Sequence, residues 1–330
     1  MRLQWLQQMK RRSQCLEDAV ARDSSETSVY FVNFPCHEQY QTHLPAAAAT
    51  DPPIWYDLQH KTRGPSGTNS TNYYHNCLDG LAALIDKCEF ARLVQTQGIA
   101  PSVPWHKDDR CRDICNAFSS NLRFPCLAKP ARGSHGRGIV LVRNAEALAA
   151  LSSRVSYVLS TYVDNLLLYE GRKVHLRYYV LLLPSRRQVW LCSKGHAFHA
   201  DKLFDMTSRD MINVHLTNAC EQSIHSHELL RDGESIVIQR LSETLHVIFT
   251  AWFAKYRDIN DAHVFSILAI DVLVDQQFQP YILEFNASWD PIIYNAVDEQ
   301  VECRDMLPAF VRLVRNANDA SCDCCVLCYK

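Results

Sequence analysis

Hydrophobic positions recur along this chain with two different periods. Between residues 78 and 94, Leu78, Leu81, Leu84, Ile85 and Cys88 fall at helical spacing, with Gly98 as a stop, and predict one helix. Residues 234–256 predict a long helix with Leu241, Leu245, Ile248, Trp252 and Tyr256 along one face. Further helices are expected within residues 1–44, at 145–151 and at 297–314. Strand-like runs cover 29–33, 124–129, 139–142, 157–163, 173–183, 189–192, 265–274 and 280–286, the last two joined by a turn centred on Gln277 and Phe278. The run 173–183 alternates and then turns wholly apolar, as a buried strand does, and 189–192 is placed to pair with it. Residues 45–53 and 60–72 read as linkers, the first rich in Pro and Ala and the second in Gly, Ser, Thr and Asn. Strands and helices mix without strict βαβ alternation, which favours an α+β fold over a doubly wound sheet.

Composition narrows the class. A chain of 330 residues with 47% hydrophobic and 21% charged positions is globular, and long enough for two or three lobes. Lys and Arg number 34 against 36 Asp and Glu, so there is no whole-chain basic footprint for nucleic acid. No apolar run approaches the ~18–20 residues of a membrane span. The opening segment carries Glu17 and Asp18 and no apolar stretch, so a secretory leader is not expected. Of the 14 cysteines most stand singly, which fits buried thiols in a reducing, cytosolic compartment. Cys322, Cys324, Cys325 and Cys328 crowd the last stretch. Their spacing could hold a metal, but no second knuckle follows, and a frayed or lipidated tail is the expectation.

Four groups of residues carry candidate chemistry. The loop Gly133-Ser-His-Gly136-Arg-Gly138 joins strand to strand, unlike the strand-to-helix loops of common nucleotide folds. It is either an ordinary mobile hairpin or a cover whose backbone N–H groups close over phosphates, with Lys129 adding a point charge. Asp271, Glu284 and Asn286 form the second group. Glu284 and Asn286 share a strand face, and the turn places Asp271 opposite Glu284. That all-oxygen set suits Mg²⁺ with bound phosphates; the alternative is the solvated face of an edge strand. Lys173, His175 and Arg177 share one strand face, and such cations need either neutralising acids or an anionic ligand. The fourth, His215-Leu-Thr-Asn218, is by physics alone a turn or cap. His196, His199, His225 and His227 are read as solvated and receive no role.

Taken together these residues resemble the tubulin–tyrosine ligase family of ATP-grasp ligases. The resemblance rests on Leu127-Ala-Lys-Pro130 with the glycine loop, on Leu166-Leu-Leu-Tyr-Glu-Gly-Arg-Lys173-Val-His-Leu-Arg177, on His215-Leu-Thr-Asn218, and on Phe265-Ser-Ile-Leu-Ala-Ile-Asp271 with Glu284-Phe-Asn286. Leu84-Ile-Asp-Lys87 is a weaker echo. The matches run in order from about residue 70 to 295. The resemblance implies an ATP-grasp fold with N-terminal (1–115), central (116–190) and C-terminal (191–318) lobes around a nucleotide cleft, followed by the cysteine-rich tail (319–330).

The resemblance also implies roles. Lys87, Lys129, Arg132, Gly133, Gly136, Arg137 and Gly138 would hold ATP phosphates, with Lys129 also catalytic. Ser160, Thr161, Tyr162 and Val163 would meet adenine. Lys173 and His175 would lie beside the nucleotide, and Thr217 and Asn218 would position nucleotide and substrate. Arg177 would act catalytically, facing phosphate and the acceptor carboxylate; Asp271, Glu284 and Asn286 would bind magnesium. The implied activity is ATP- and Mg²⁺-dependent addition of a free amino acid to tubulin's tail or another acidic protein tail, through an acyl phosphate. The run Thr217-Asn-Ala-Cys-Glu-Gln222 points to tyrosine as the donor. Glutamate addition, or a degraded member that binds tubulin or nucleotide, are the alternatives. A cytoplasmic, microtubule-associated protein with no nucleic-acid partner and no membrane span is implied. Three stretches depart from the family pattern: His175 stands where it has Asp, Ser160-Thr161 where it has Gln-Lys, and Ser193 and Phe198 where it has arginines, the second of them at the acceptor end.

Overall fold

The structure, a computed structural model, describes residues 28–30, 73–75, 80–96, 102–105, 124–131, 136–152, 154–163, 165–217, 223–257, 259, 265–286, 296–315 and 324–330. The helix expected within 1–44 and both linkers lie outside the described residues. Strands β1 (Ser28–Tyr30) and β2 (Tyr73–His75) form a short parallel pair.

The helix expected over 78–94 is instead two, α1 (Ala82–Ile85) and α2 (Lys87–Thr96). Asp86 makes the break. Its backbone turns extended at ψ 123°, and its carboxylate accepts from the N–H groups of Cys88 (2.9 Å) and Glu89 (3.0 Å), capping α2. Leu81, Leu84 and Cys88 stay buried across the break, which is why the apolar period reads as continuous.

A four-stranded antiparallel sheet follows. It consists of β3 (Ser102–Trp105), β4 (Cys126–Pro130), β5 (Val140–Val142) and β6 (Tyr157–Thr161), in the order β3-β6-β4-β5. β4 and β5 are the two arms of the glycine loop, so the strand-to-strand reading holds. β3 is not visible in the apolar pattern because Pro104 interrupts it; as an edge strand it tolerates the missing N–H. Helix α3 (Ala145–Ala149) starts at Asn144, whose side chain accepts from the N–H of Ala147 at 2.8 Å.

The larger sheet is built on one long strand. β7 (Leu168–Tyr169) turns into β8 (Arg172–Leu183), which pairs with β9 (Gln188–Cys192) and β10 (His196–Leu203); β11 (Ser223–His225) extends β10. After α4 (Ser226–Leu230) and α5 (Glu234–Lys255), the hairpin β12 (Ser266–Val274) and β13 (Pro280–Asn286) completes the other side, with β12 against β8. α6 (Ala296–Asp298), a π-helix (Glu299–Met306) and α7 (Leu307–Arg315) follow without a break. The observed class is α+β.

β8 sorts its side chains by parity, and this positions the site. Val174, Leu176, Tyr178, Val180 and Leu182 pack against Leu241, Leu245, Ile248, Phe249 and Trp252 of α5. On the opposite face Tyr179, Leu181 and Leu183 meet Met306, Phe310, Val311 and Val314. Each such fully buried side chain contributes about 1.5–3 kcal/mol, so Leu245→Ala alone should cost about 2–5 kcal/mol. Lys173, His175 and Arg177 lie on the second face where that helical cover stops.

The cysteine-rich end is not a frayed tail. β14 (Cys325–Tyr329) pairs antiparallel with β9, Cys325 opposite Cys192, and Cys328 is buried. Tyr329 stacks on Phe253 of α5 with ring centroids 4.9 Å apart. Among the described residues no helix is long and apolar enough to cross a membrane.

Candidate active site

One cleft gathers side chains from most of the elements that carry the predicted set; Arg177 and Asn286 stand outside its lining. α2 contributes Lys87, β4 Lys129, and the glycine loop Gly136, Arg137 and Ile139. β8 contributes Lys173 and His175, a second π-helix (Met211–His215) and the residues after it contribute His215, Leu216 and Thr217, and the hairpin contributes Asp271, Leu273, Leu283 and Glu284. Gly138 stands beside the cleft at φ 75°, with Pro130 tight against it. Arg132, Gly133 and Asn218 lie outside the described residues.

The cleft is charged unevenly. Lys87 pairs with Glu284 (3.4 Å) and, at the far side, Arg177 with Asp271 (2.7 Å), while His175 Nε2 lies 3.8 Å from the same carboxylate; Lys129 and Lys173 are left without an ion pair among the described residues. Burial pulls the Lys173 pKa down to about 7, and the neighbouring Lys129 pushes it the same way. Burial also lowers Lys129, with Glu284 opposing and Lys87 reinforcing the shift. Two clustered ammonium groups whose charged form burial disfavours are a strong electrostatic demand for an anion. Beneath Lys173 lies Tyr162, its ring centroid 4.5 Å from the ammonium and its hydroxyl 2.7 Å from His215 Nδ1. Ser160 and Tyr162 are buried at the end of β6, and none of Ser160, Thr161, Tyr162 and Val163 is among the cleft-lining residues. Leu127, Ile139, Leu273 and Leu283 give the cleft an apolar wall continuous with the cluster around Tyr162.

His175 shows where a ligand is expected. Its Nδ1 lies 2.6 Å from Thr217 Oγ1, while Nε2 is buried in the cleft with no hydrogen-bond partner. Burial pushes its pKa down to about 4 against the pull of Asp271, so the ring is neutral at pH 7. This buried nitrogen, 3.8 Å from Asp271 Oδ1 and without a hydrogen bond, suits a phosphate oxygen or a substrate group.

The metal reading receives a more limited fit. Asp271 and Glu284 are directly opposite in the β12–β13 register, as the turn predicted. Yet Arg177 holds both Asp271 oxygens, at 2.7 and 2.9 Å, and Asn286 reaches the second at 3.4 Å. Burial raises the Asp271 pKa, but Arg177 and His175 more than reverse it, so the carboxylate is ionised. Among the described residues no three His, Cys, Asp or Glu side chains cluster as a metal centre. Two carboxylates and an amide suit only a cation that takes most of its ligands from phosphate and water, as Mg²⁺ does.

Phe198, which stands where the family has an arginine, is buried, stacked on His175 at 5.2 Å and 20°, with Arg177 5.7 Å over its ring. One histidine corrects the sequence reading. His196 is not solvated. It is 1% exposed, cross-strand from Arg177, with Nδ1 2.9 Å from Asp298 and Nε2 3.1 Å from the Tyr179 hydroxyl. No local pattern in the sequence links these residues.

Comparison with known proteins is consistent with this geometry. Residues 105–255 match the model of the tubulin-tyrosine ligase family. The chain is 28% identical over 218 residues to the probable alpha-tubulin polyglutamylase Ttll1 of Tetrahymena thermophila, covering 56% of this chain and 53% of that protein. It is 32% identical over 173 residues to the probable tubulin polyglutamylase TTLL9 of Mus musculus, covering 46% and 37%. With mouse tubulin polyglutamylase TTLL5 it is 26% identical over 214 residues, covering 53% and 16%. The matched region thus spans about half the length of these relatives, or less.

Proposed function

We propose that this chain, whose residues 105–255 belong to the tubulin-tyrosine ligase family, is an ATP-dependent ligase that adds glutamate to an acidic protein tail such as that of tubulin. The observation that carries the reading is the convergence of Lys129, Lys173 and the orphaned His175 Nε2 in one cleft facing Asp271 and Glu284. Glutamate replaces tyrosine as the favoured donor because the relatives above are named polyglutamylases. The two antiparallel sheets, with a glycine hairpin on one and paired carboxylates on the other, support an ATP-grasp arrangement.

In this reading Lys87, Lys129, Lys173 and Arg137 bind the triphosphate, and the hairpin carrying Gly136 and Gly138 covers it. Gly136 sits at φ 71°, and a Cβ there would come within 2.8 Å of Leu216, so the close approach of the loop needs glycine. The apolar wall takes the base. A magnesium ion bound with the phosphates by Asp271, Glu284 and Asn286 would neutralise charge on the transferred phosphoryl group. The acceptor carboxylate attacks the γ-phosphorus and ADP leaves. The amine of glutamate then attacks the acyl phosphate, losing a proton as inorganic phosphate departs, and an isopeptide bond results. The protein's share is positioning and fixed charge, Arg177 lying beside the reacting carboxylate.

The test is incorporation of labelled glutamate and, in parallel, labelled tyrosine into tubulin, with Mg-ATP supplied or withheld. ATP-dependent glutamate incorporation is expected. Tyrosine incorporation alone would return the donor to the first sequence reading. Neither, together with no thermal stabilisation by Mg-ATP, would overturn the ligase reading.

A further inference from the structure

Beyond Arg177 the sheet face that lines the cleft carries a second polar cluster, in a place where the fold needs only apolar packing. His196 of β10 lies between Asp298 of α6 and Tyr179 of β8, at 2.9 and 3.1 Å. Tyr179 also donates to Glu302 of the following π-helix, and Ser223 of β11 donates to Asp298. Asp298 and Glu302 are 0% and 2% exposed. Carboxylates are costly to bury, and the neighbouring stretch of the same face, Leu181 and Leu183 against Phe310 and Val314, is wholly apolar.

The cluster is directional. Asp298, His196, Tyr179 and Glu302 stand in line, with the His196 ring held at both nitrogens and the Tyr179 hydroxyl on two sides, so each ring is held in one orientation. The cluster also touches the cleft. His196 is the cross-strand partner of Arg177, and Tyr179 is two residues from Arg177 on the same face. The His196 ring lies 5.1 Å from Phe198, and Phe198 supports both His175 and the Arg177 guanidinium.

We infer that His196 is a positioning residue. Through Asp298, Tyr179 and Glu302 it ties the C-terminal helices to β8, and it fixes Phe198 and Arg177 where the acceptor carboxylate binds. The inference rests on the ligase reading for the identity of that carboxylate. It assigns His196 to the acceptor end of the cleft, because the cluster meets the cleft at Arg177 and Phe198.

Tyr179→Phe removes one hydroxyl and keeps the volume; His196→Asn keeps the donor toward Asp298 and loses the reach to Tyr179. The acceptor KM of each variant, with an acidic tail peptide and labelled glutamate, is expected to rise about five- to tenfold while the dissociation constant for Mg-ATP stays within about twofold. Equal losses at both ends, or a lowered melting temperature with an unchanged acceptor KM, would reduce the cluster to a structural role and overturn the inference. If the wild-type protein incorporates nothing, the ligase reading fails by itself. The positioning then stands or falls on the ¹⁵N resonance of the Arg177 guanidinium, assigned with Arg177→Lys. It should move in both variants, and an unmoved signal refutes the coupling.

Discussion

Arg177 and Asp271 face each other across the β8–β12 register, and the guanidinium closes on both carboxylate oxygens. The pair sits between the cleft and the His196 cluster, so the carboxylate proposed to meet a metal is also a structural counter-ion. Glu284, opposite Asp271 on β13, is held among the described residues by Lys87 at a half-buried position. The two acids should therefore separate in experiment. Asp271→Asn leaves a largely buried guanidinium unpaired and should cost about 3 kcal/mol in urea unfolding. Glu284→Gln should cost under about 1 kcal/mol, as a partly exposed pair does, while abolishing turnover. Full activity in Glu284→Gln would remove that residue from the metal-binding set.

Lys173 predicts a proton signature for nucleotide binding. Its pKa in the free protein is about 7, against roughly 10.4 in an unfolded chain. Between those values the unfolded state carries a proton that the folded state lacks, so the Lys173 contribution to stability rises with pH across that window. A bound triphosphate favours the ammonium and raises the pKa again. Binding at pH 8 should then take up protons, and affinity should fall as pH rises above 7. Calorimetry in buffers of different ionisation enthalpy measures the uptake directly. Lys173→Met should diminish it, leaving the share of Lys129; buffer-independent heats would contradict the prediction.

The C-terminal strand gives a prediction on which the sequence reading and the structure disagree. Cutting the chain before Cys325 removes β14 from β9 and takes Tyr329 off Phe253. It leaves β9 as an open, buried-type edge carrying Val189, Trp190 and Leu191. Such an edge should aggregate, and the melting temperature should drop by several degrees. A frayed tail would be lost without effect. Concentration-dependent light scattering during thermal unfolding separates the two.

What could be read from the chain alone follows from period two and from turns. That period put Lys173, His175 and Arg177 on one face, and the turn at Gln277 and Phe278 put Asp271 opposite Glu284. Both relations are local to one strand or one hairpin. The Arg177–Asp271 pair depends on β12 lying next to β8, which no hairpin dictates. The His196–Asp298 bond spans 102 residues of sequence. β10 escaped notice because its second half, Ala200 to Leu203, carries Asp201 and Lys202 toward solvent and breaks any apolar alternation. Asp86 was a helix cap hidden inside an unbroken apolar period.

The same hairpin turn supplies the last prediction. Phe278 occupies φ 58°, a left-handed position that aromatic residues rarely take, and its ring lies on Gly233 at the start of α5. A Cβ on Gly233 would stand 2.2–2.5 Å from three ring carbons. Gly233 itself has φ −83°, so alanine there meets no backbone strain and the cost is contact alone. Gly233→Ala should therefore cost about 1–3 kcal/mol by forcing the ring outward. Because the turn joins the strands that carry Asp271 and Glu284, it should also weaken Mg-ATP binding. Phe278→Ala in the same chain removes the clash. The double variant should recover much of what Gly233→Ala loses, giving a coupling energy of about 1 kcal/mol or more in a double-mutant cycle. Strict additivity would show that the ring and the helix start do not brace each other.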